Sequence, residues 1–417
     1  MTVMKKIIDN SFTRLLFAGM MLVAAMFVSC NNDEDSGAGP VITEVRNYAA
    51  APNDTLVNKL VPGQWVVLKG SRLKDAVKIA FNGIAVDFNG GLFADNYAVV
   101  QVPAVIPFPS VAEKDLNTIQ LVTPDGKAIF DIDIVAGPPA LDHISNENAQ
   151  PGEEVVVYGT NLFQISELIF AGVSVQEFTG SDEGTSITFK MPDSAVSGPL
   201  KITTASGEIT TLFNVNDLTT GMICNFDTIG SMSWGTSTSD NDPDFLGNKG
   251  VYAILNPGAL SAGNGSWWEN GRCINIEQAQ HWIQPNDLTL DLSQFALKFE
   301  INIAGTWKGS SIFIVKDYNW TYLARYEPWK TTGGKGVTTE GKWTTVTIPL
   351  TEFRTKKDDK EGTGDSAASL TELVGGSGIG GINFFIINDA STPAPGDFRA
   401  AVDNIRVVKI LDNASTN

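Results

Sequence analysis

The sequence predicts an all-β protein made of several β-sandwich domains, and three observations support this fold class. The chain has 417 residues, which is more than one ordinary domain of ~100–200 residues accommodates. It contains 40 glycines and 43% hydrophobic residues, enough apolar material for packed cores separated by many turns. Its apolar residues mostly alternate with polar ones between Gly and Pro turns, and long runs at the helical period are scarce.

Composition also excludes several classes of function. The net charge of −18 argues against a nucleic-acid partner, because phosphate contacts require clustered Lys and Arg. Two histidines and three widely spaced cysteines do not make a zinc cluster, so no metal or other cofactor is expected. The stretch SDNDPDF spaces Asp240, Asp242 and Asp244 as calcium loops do, but Pro243 and the missing bidentate Glu favour a solvated turn. Cys224 and Cys273 are compatible with a disulfide or with two buried free thiols.

Residues 1–30 have the organisation of a secretion signal. Basic residues precede an apolar run, 15–28, that is short for a membrane span. The run ends in Ser29 and Cys30, which resembles a bacterial lipoprotein signal in which the cysteine becomes the lipidated first residue. An ordinary secretory signal with an incidental cysteine is the alternative.

The segment that follows, 31–39, is acidic and flexible. It resembles the tether that directs lipoproteins of Bacteroides-type bacteria to the outer face of their outer membrane. That resemblance implies a lipid-anchored protein facing the outside of the cell.

An internal repeat follows the tether. Residues 62–88 match the first 27 positions of residues 151–178 at a constant offset of 89, with a shared PG turn, a VV strand and later Gly and Phe positions. The pattern resembles the IPT/TIG immunoglobulin-like module and implies two small β-sandwiches, at 40–136 and 138–216. Such modules are mostly spacers. Trp65 has Glu154 as its counterpart, so no ligand site shared by the two modules is expected.

The composition changes in the last segment, 217–411, which holds eight of the nine tryptophans. The alternation remains that of strands, as in LKFEINI at 297–303. The first and last predicted strands, NFDT near 225 and VDNIRVV at 402–408, resemble those of jelly-roll carbohydrate-binding modules. A larger jelly-roll-like β-sandwich is therefore expected here.

Aromatic residues concentrate in three stretches of this domain: 263–272, 281–287 and DYNWTYLARYEPW at 317–329. Strand alternation would gather Tyr318, Trp320, Tyr322, Ala324 and Tyr326 on one face. That face could be core, but residues with a polar edge favour half-wet surfaces, and indole rings in Gly- and Asn-rich loops are seldom all buried. Flat rings cover the apolar faces of sugars, and Asn, Gln and acids bond the hydroxyl groups. The candidate glycan-binding residues are Trp267, Trp268, Trp282, Trp320, Tyr322, Tyr326 and Trp329, whereas Trp234, Trp307 and Trp343 are assigned to the core.

The order of lipidated cysteine, tandem modules and Trp-rich domain resembles the surface glycan-binding proteins of Bacteroides polysaccharide-utilisation loci, with a C-terminal domain of the xyloglucan-binding type. The resemblance implies a non-catalytic protein that captures xyloglucan or another β-glucan or β-mannan. It also implies, as partners, a TonB-dependent outer-membrane transporter complex and surface hydrolases of the same system. Two alternatives stay open, a host-protein adhesin and a jelly-roll glycoside hydrolase. A hydrolase needs two placed carboxylates, for which the candidates are Glu269, Glu277, Asp317 and Glu327.

Overall fold

The computed structural model describes residues 39–248 and 250–411. The predicted signal peptide, the predicted lipidation site Cys30 and nearly all of the tether lie outside these residues. The described chain divides into two compact units, one of residues 39–104 and 111–134 and one of residues 105–110 and 135–411. The second unit contains both the second repeat and the C-terminal domain. Within the described residues, no helix is both long and apolar enough to cross a membrane.

The first module is a sandwich of two four-stranded sheets with an additional parallel strand pair. The sheet orders are β1-β3-β7-β6 and β5-β4-β8-β9, and β10 pairs with β2. Short 3₁₀ helices cover Gly90–Leu92 and Glu113–Asp115. The strands are β1 (Val41–Asn47), β2 (Lys59–Leu60), β3 (Trp65–Ser71), β4 (Lys78–Phe81), β5 (Ile84–Val86), β6 (Phe93–Ala94), β7 (Tyr97–Gln101), β8 (Thr118–Thr123), β9 (Gly126–Asp131) and β10 (Asp133–Ile134).

The second module repeats this design with sheets β11-β12-β16-β15 and β14-β13-β17-β18. Its core contains the aromatic pair Phe170 and Phe189, with ring centroids 5.1 Å apart. The strands are β11 (Ala140–Ile144), β12 (Glu154–Thr160), β13 (Ile165–Phe170), β14 (Val173–Ser174), β15 (Phe178–Gly180), β16 (Ser186–Lys190), β17 (Gly198–Thr204) and β18 (Gly207–Val215).

The repeat is explained by positions that admit few residues. At Gly70 an added Cβ would lie 1.8 Å from the carbonyl oxygen of Val41, and at Gly159 it would lie 2.1 Å from that of Ala140. A side chain at either glycine would therefore separate two paired strands, β1 from β3 or β11 from β12. Of the repeated residues, Val66 with Val155 and Phe81 with Phe170 are fully buried in both copies, so these shared positions form a shared core.

The C-terminal domain is a sandwich of a six-stranded and a four-stranded sheet. The larger has the order β20-β21-β28-β23-β26 with β19 on β28, and the smaller has the order β22-β27-β24-β25. The core between them contains Phe299 and Phe384, whose rings meet edge to face at 5.2 Å. The strands are β19 (Met222–Cys224), β20 (Ser237–Ser239), β21 (Tyr252–Leu255), β22 (Cys273–His281), β23 (Phe295–Ala304), β24 (Ser311–Lys316), β25 (Asn319–Tyr326), β26 (Thr344–Pro349), β27 (Ile379–Ile387) and β28 (Arg399–Lys409).

Helices in the second unit are few and short. One α-helix, α1, spans Leu370–Val374, and the remaining helical turns are 3₁₀ segments. These segments are Phe108–Ser110, Pro285–Asp287, Leu292–Gln294, Pro328–Lys330 and Leu350–Glu352. The described chain is therefore almost entirely β, and the predicted fold class is confirmed.

A buried ionic cluster joins the second module to the C-terminal domain. Glu147 of the module accepts hydrogen bonds from Lys298 Nζ at 2.5 Å and from Arg406 Nη2 at 2.6 Å. Arg406 also binds Glu300 through both terminal nitrogens at 2.9 Å. All four side chains are at most 4% exposed. The second module is thus attached to the C-terminal domain through its own buried charge and is not an independent spacer.

Candidate binding surface

Aromatic side chains from three segments meet on the outer face of the β22-β27-β24-β25 sheet, the face turned away from the main core. They come from the loop before β20, the loop before β22 and the β24–β25 hairpin. Their rings contact one another or the same underlying phenylalanine. We call this set the aromatic surface: Trp234, Trp267, Trp268, Tyr318 and Trp320.

Trp267 is the centre of the aromatic surface. Its ring centroid lies 4.3 Å from that of Phe385, 5.7 Å from that of Trp268 and 6.0 Å from that of Trp234. Trp320 stacks on the same Phe385 at 5.5 Å with only 9° between the ring planes. Phe385 is fully buried, so it forms the floor on which the outer rings rest.

The outermost rings are open to solvent. Trp268 is 57% exposed and Trp234 is 50% exposed, whereas Trp267, Tyr318 and Trp320 are partly buried. Both exposed indoles pack against Trp267, and this contact restricts their orientation, which lowers the entropy lost when a ligand stacks on them. The surface is therefore preorganised for a flat partner.

Two buried asparagines fix the positions of the outer residues. The backbone N–H of Tyr318 donates to Asn383 Oδ1 at 2.8 Å, and Asn383 Nδ2 donates to Asn275 Oδ1 at 3.0 Å. Asn275 Nδ2 then donates to the carbonyl oxygen of Trp234 at 2.8 Å. Sequence reasoning missed both asparagines. The available signal was a single Asn within each of the apolar stretches CINI and INFFII, where a buried amide must have partners.

The hairpin turn between β24 and β25 places the Tyr318 ring. Asp317 and Tyr318 have φ of 49° and 55°, so the two-residue turn is left-handed at both positions, as in type I′ hairpins. The Tyr318 hydroxyl donates to Glu277 Oε1 at 3.2 Å. Burial, reinforced by the charge of Glu277, raises the pKa of Tyr318 to about 12, so this hydroxyl remains a donor at neutral pH.

The loop that carries Trp267 and Trp268 is braced by a buried arginine. Arg272 Nη1 donates to Asn264 Oδ1 at 3.1 Å and to the carbonyl oxygen of Ser266 at 3.2 Å. It also pairs with Glu269 at 2.9 Å, and Glu269 keeps about half of its side chain exposed. The guanidinium supplies several donors in one rigid plane, which suits it to hold an irregular loop.

A charged group borders the aromatic surface on β25. Arg325 lies over the Phe313 ring, 4.5 Å from its centroid, and pairs with Glu327 at 2.9 Å and with Asp389 at 2.8 Å. Although burial opposes ionisation, the hydrogen bonds from Arg325 and Lys330 hold the pKa of Glu327 at about 2. Asp389 remains one-third exposed and can still accept a hydrogen bond from a ligand.

The structure corrects the predicted face of β25. Val315 pairs with Leu323, but Lys316 pairs with Asn319, which leaves the three residues 320–322 outside regular pairing. The alternation is broken there, so Trp320 joins the outer face while Tyr322, Ala324 and Tyr326 contact the core. The prediction that all of them share one face was wrong.

Four predicted binding residues lie on the core side. Tyr326 packs against Trp307 with ring centroids 5.5 Å apart, and Tyr322 donates its hydroxyl to Glu372. Trp329, turned away from the strand by the 3₁₀ segment, donates Nε1–H to the Ser310 carbonyl oxygen at 2.7 Å. Trp282 is 2% exposed and donates to the Gly381 carbonyl oxygen at 3.2 Å. The four residues that the structure excludes from the aromatic surface are Tyr322, Tyr326, Trp329 and Trp282.

The tryptophans assigned to the core divide as well. Trp307 and Trp343 are 0% and 7% exposed, which confirms that assignment. Trp234 is half exposed on the aromatic surface, so its assignment was wrong. The error arose because the sequence around Trp234 shows neither a strand pattern nor its contact with Trp267.

The structure also bears on the predicted calcium-loop candidates and on the possible disulfide. Asp242 Oδ2 pairs with Arg399 at 2.6 Å, and Asp244 pairs with the same guanidinium, so two of the three candidate calcium ligands neutralise an arginine. Among the described residues, no group of three or more His, Cys, Asp or Glu is placed to hold a metal ion. Cys224 and Cys273 are both buried free thiols.

The fold and the surface together define a class of protein: a multidomain β-protein whose terminal sandwich presents a shallow aromatic face edged by carboxylates. Such a face suits ligands with flat apolar sides and many hydroxyl groups. Residues 215–409 match the family model described as the surface glycan-binding protein B xyloglucan binding domain.

Known proteins resemble the chain over most of its described length. The crystal structure of a surface glycan-binding protein from Prevotella bryantii has a TM-score of 0.67 at 23% identity, covering 89% of this chain and 99% of that one. A surface glycan-binding protein from a xyloglucan utilization locus of Bacteroides uniformis has a TM-score of 0.49 at 22% identity, covering 89% and 100%. The predicted overall architecture is therefore shared with a solved protein.

The sequence comparison covers less. An IPT/TIG domain-containing protein of Bacteroides ovatus is 27% identical over 164 residues, 39% of this chain. The match spans 33% of the length of that relative. Together with the family model, it confirms the predicted resemblance to surface glycan-binding proteins with IPT/TIG modules.

Proposed function

We propose that the protein is a non-catalytic glycan-binding protein whose C-terminal domain holds a β-linked polysaccharide on the aromatic surface. The observation that carries the proposal is the convergence of four tryptophans and one tyrosine on one sheet face, supported by buried aromatics and asparagines. Indole faces stack on the apolar sides of pyranose rings. The carboxylates of Glu277, Glu269 and Asp389 stand at the edges, where they can accept hydrogen bonds from sugar hydroxyl groups.

Xyloglucan is the first ligand to test, because the family model that matches this domain carries that name. Stacking tolerates different monosaccharides, so mixed-linkage β-glucan and β-mannan belong in the same panel. Affinity electrophoresis of the whole chain in gels containing each polysaccharide should show retardation with at least one of them. Normal mobility in every gel would refute the proposed function.

Catalysis is the competing function, and the surroundings of the candidate carboxylates favour binding. Glu327 is neutralised by Arg325 and Lys330, and Asp317, in the β24–β25 turn, accepts the backbone N–H of Gly381 on β27. Glu269 braces a loop through Arg272. A hydrolase requires one carboxyl group with a raised pKa beside an ionised one. Release of reducing sugar from the retarding polysaccharide by the pure protein would contradict the non-catalytic assignment.

We further propose that Cys30 is lipidated and that the protein faces the outside of the outer membrane, where it delivers glycan to a transporter and surface hydrolases. The signal-like segment and the acidic tether in the sequence support this location. Replacing Cys30 by serine in the full-length chain should move the protein from the membrane fraction to the soluble fraction. An unchanged membrane fraction would show that Cys30 is not the anchor.

A further inference from the structure

An exposed aromatic pair lies on the first module, outside the C-terminal domain. Tyr48 is 58% exposed and Trp65 is 46% exposed, with ring centroids 6.1 Å apart and planes inclined by 43°. The two are neighbours on adjacent strands, since the Tyr48 N–H donates to the Trp65 carbonyl oxygen. Two large rings left in water at one place are a feature that folding alone does not require.

The second module shows which residues the fold needs at these positions. In the first module Val45 pairs with Leu68, and in the second Ile144 pairs with Val157. Continuing three residues beyond Val45 and Ile144 makes Glu147 the counterpart of Tyr48. The pairing of Trp65 with Gln101 and of Glu154 with Lys190 makes Glu154 the counterpart of Trp65. The second module therefore folds with two glutamates where the first module has two aromatic rings.

The same positions are a contact face in the second module. Glu147 is buried in the ionic cluster with Lys298 and Arg406, and Glu154 pairs with Lys342 at 3.7 Å. In the second module, this face therefore contacts the C-terminal domain through ion pairs. In the first module, the same face carries two aromatic rings in place of the two carboxylates. It therefore suits a different kind of partner.

The residues around the pair are neutral carboxamides. Gln64 Nε2 donates to Asn47 Oδ1 at 3.2 Å, and Gln101, paired in register with Trp65, donates to the Gly63 carbonyl oxygen at 2.8 Å. Charges on the neighbouring strand are paired internally, since Arg46 binds Glu44 at 2.7 Å. Aromatic rings beside oriented amides are suited to stack on a sugar and bond its hydroxyl groups.

The size of the pair also favours a sugar over a protein partner. Two rings of about 150–250 Å² each fall well below the roughly 1,200 Å² that a stable protein interface buries. We propose that Tyr48 and Trp65 form a second contact for the same β-linked polysaccharide, on the first module. This inference rests on the proposed function of the C-terminal domain.

The test uses the full chain with the C-terminal surface disabled by Trp234→Ala and Trp268→Ala. Affinity electrophoresis in xyloglucan, mixed-linkage β-glucan and galactomannan should show residual retardation of this variant. Adding Trp65→Glu, the residue of the second module, together with Tyr48→Ala should weaken the residual binding by about tenfold or more. Tyr97→Ala is the matched control, because Tyr97 is 37% exposed on the same sheet at the level of Lys69 and should leave mobility unchanged.

The outcomes distinguish the proposed second contact at Tyr48 and Trp65 from the proposed glycan site on the C-terminal domain. If the wild-type chain is retarded but the disabled variant runs freely, or if Trp65→Glu with Tyr48→Ala changes nothing, the second contact is refuted while the C-terminal site stands. If the wild-type chain is never retarded, both claims fall. A concentration-dependent dimer in sedimentation that Trp65→Glu abolishes would show that a second copy, and not a glycan, covers the pair.

Discussion

Replacing Trp268 by alanine is expected to weaken polysaccharide binding by at least about 2 kcal/mol, roughly 30-fold, with little change in thermal stability. Trp268 is the most exposed ring of the aromatic surface and stands edge-on to Trp267 at 5.7 Å. Its loss would remove stacking area but leave Trp267 on Phe385 and the loop on Arg272. Isothermal titration with a polysaccharide that retards the wild-type chain measures the loss.

Two controls separate stacking from folding. Tyr158→Ala removes an aromatic side chain, 37% exposed, that stacks on His143 in the second module, and it should leave affinity unchanged. Trp282→Ala removes a core ring and should lower the free energy of unfolding by about 3–5 kcal/mol. Wild-type affinity in Trp268→Ala would contradict the role of the aromatic surface.

Replacing Glu147 by alanine is expected to lower the free energy of unfolding by about 3–5 kcal/mol, the largest stability effect of any single charge removal that we predict. The substitution leaves Lys298 and Arg406 buried with only Glu300 to neutralise them. Because Glu147 belongs to the second module and its partners to the C-terminal domain, separate unfolding of the two should follow. Chemical denaturation monitored by tryptophan fluorescence would detect both effects.

The effect should depend on burial and on pH. Lys342→Ala breaks the exposed pair with Glu154 between the same two domains, and it should produce no measurable change. Burial by itself would raise the pKa of Glu147, but the charges of Lys298 and Arg406 outweigh it and hold the pKa below its ordinary value. The stability from Glu147 is therefore present above about pH 4 and is lost as pH falls through the lower folded-state pKa. A Glu147→Ala chain as stable as the wild type would refute the ionic attachment.

The sequence could predict the fold because its signals are local. Positions such as Gly70 and Gly159 repeat because each touches the backbone of a neighbouring strand, and Trp267 and Trp268 stand out in a Gly- and Asn-rich loop. Alternation along a strand likewise identified the two faces of β23 from its letters alone.

The remaining errors came from pairing and contacts that the alternation of residue types does not show. The register shift at 320–322 depends on the pairing of β24 with β25, and it moved Tyr322 and Tyr326 into the core. The burial of Trp282 depends on an acceptor at Gly381, far along the chain. The placement of Trp234 involves a hydrogen bond from Asn275 to its carbonyl oxygen and a ring contact with Trp267. A turn residue and a strand residue look alike in sequence until these partners are known.

A crystal structure of the chain with a xyloglucan oligosaccharide, or with an oligosaccharide of whichever polysaccharide retards it, tests the central claim most directly. We expect sugar rings stacked on Trp268 and Trp234, with hydroxyl groups near Glu277 or Glu269. Sugar density confined to another part of the C-terminal domain, with the aromatic surface empty, would contradict the account.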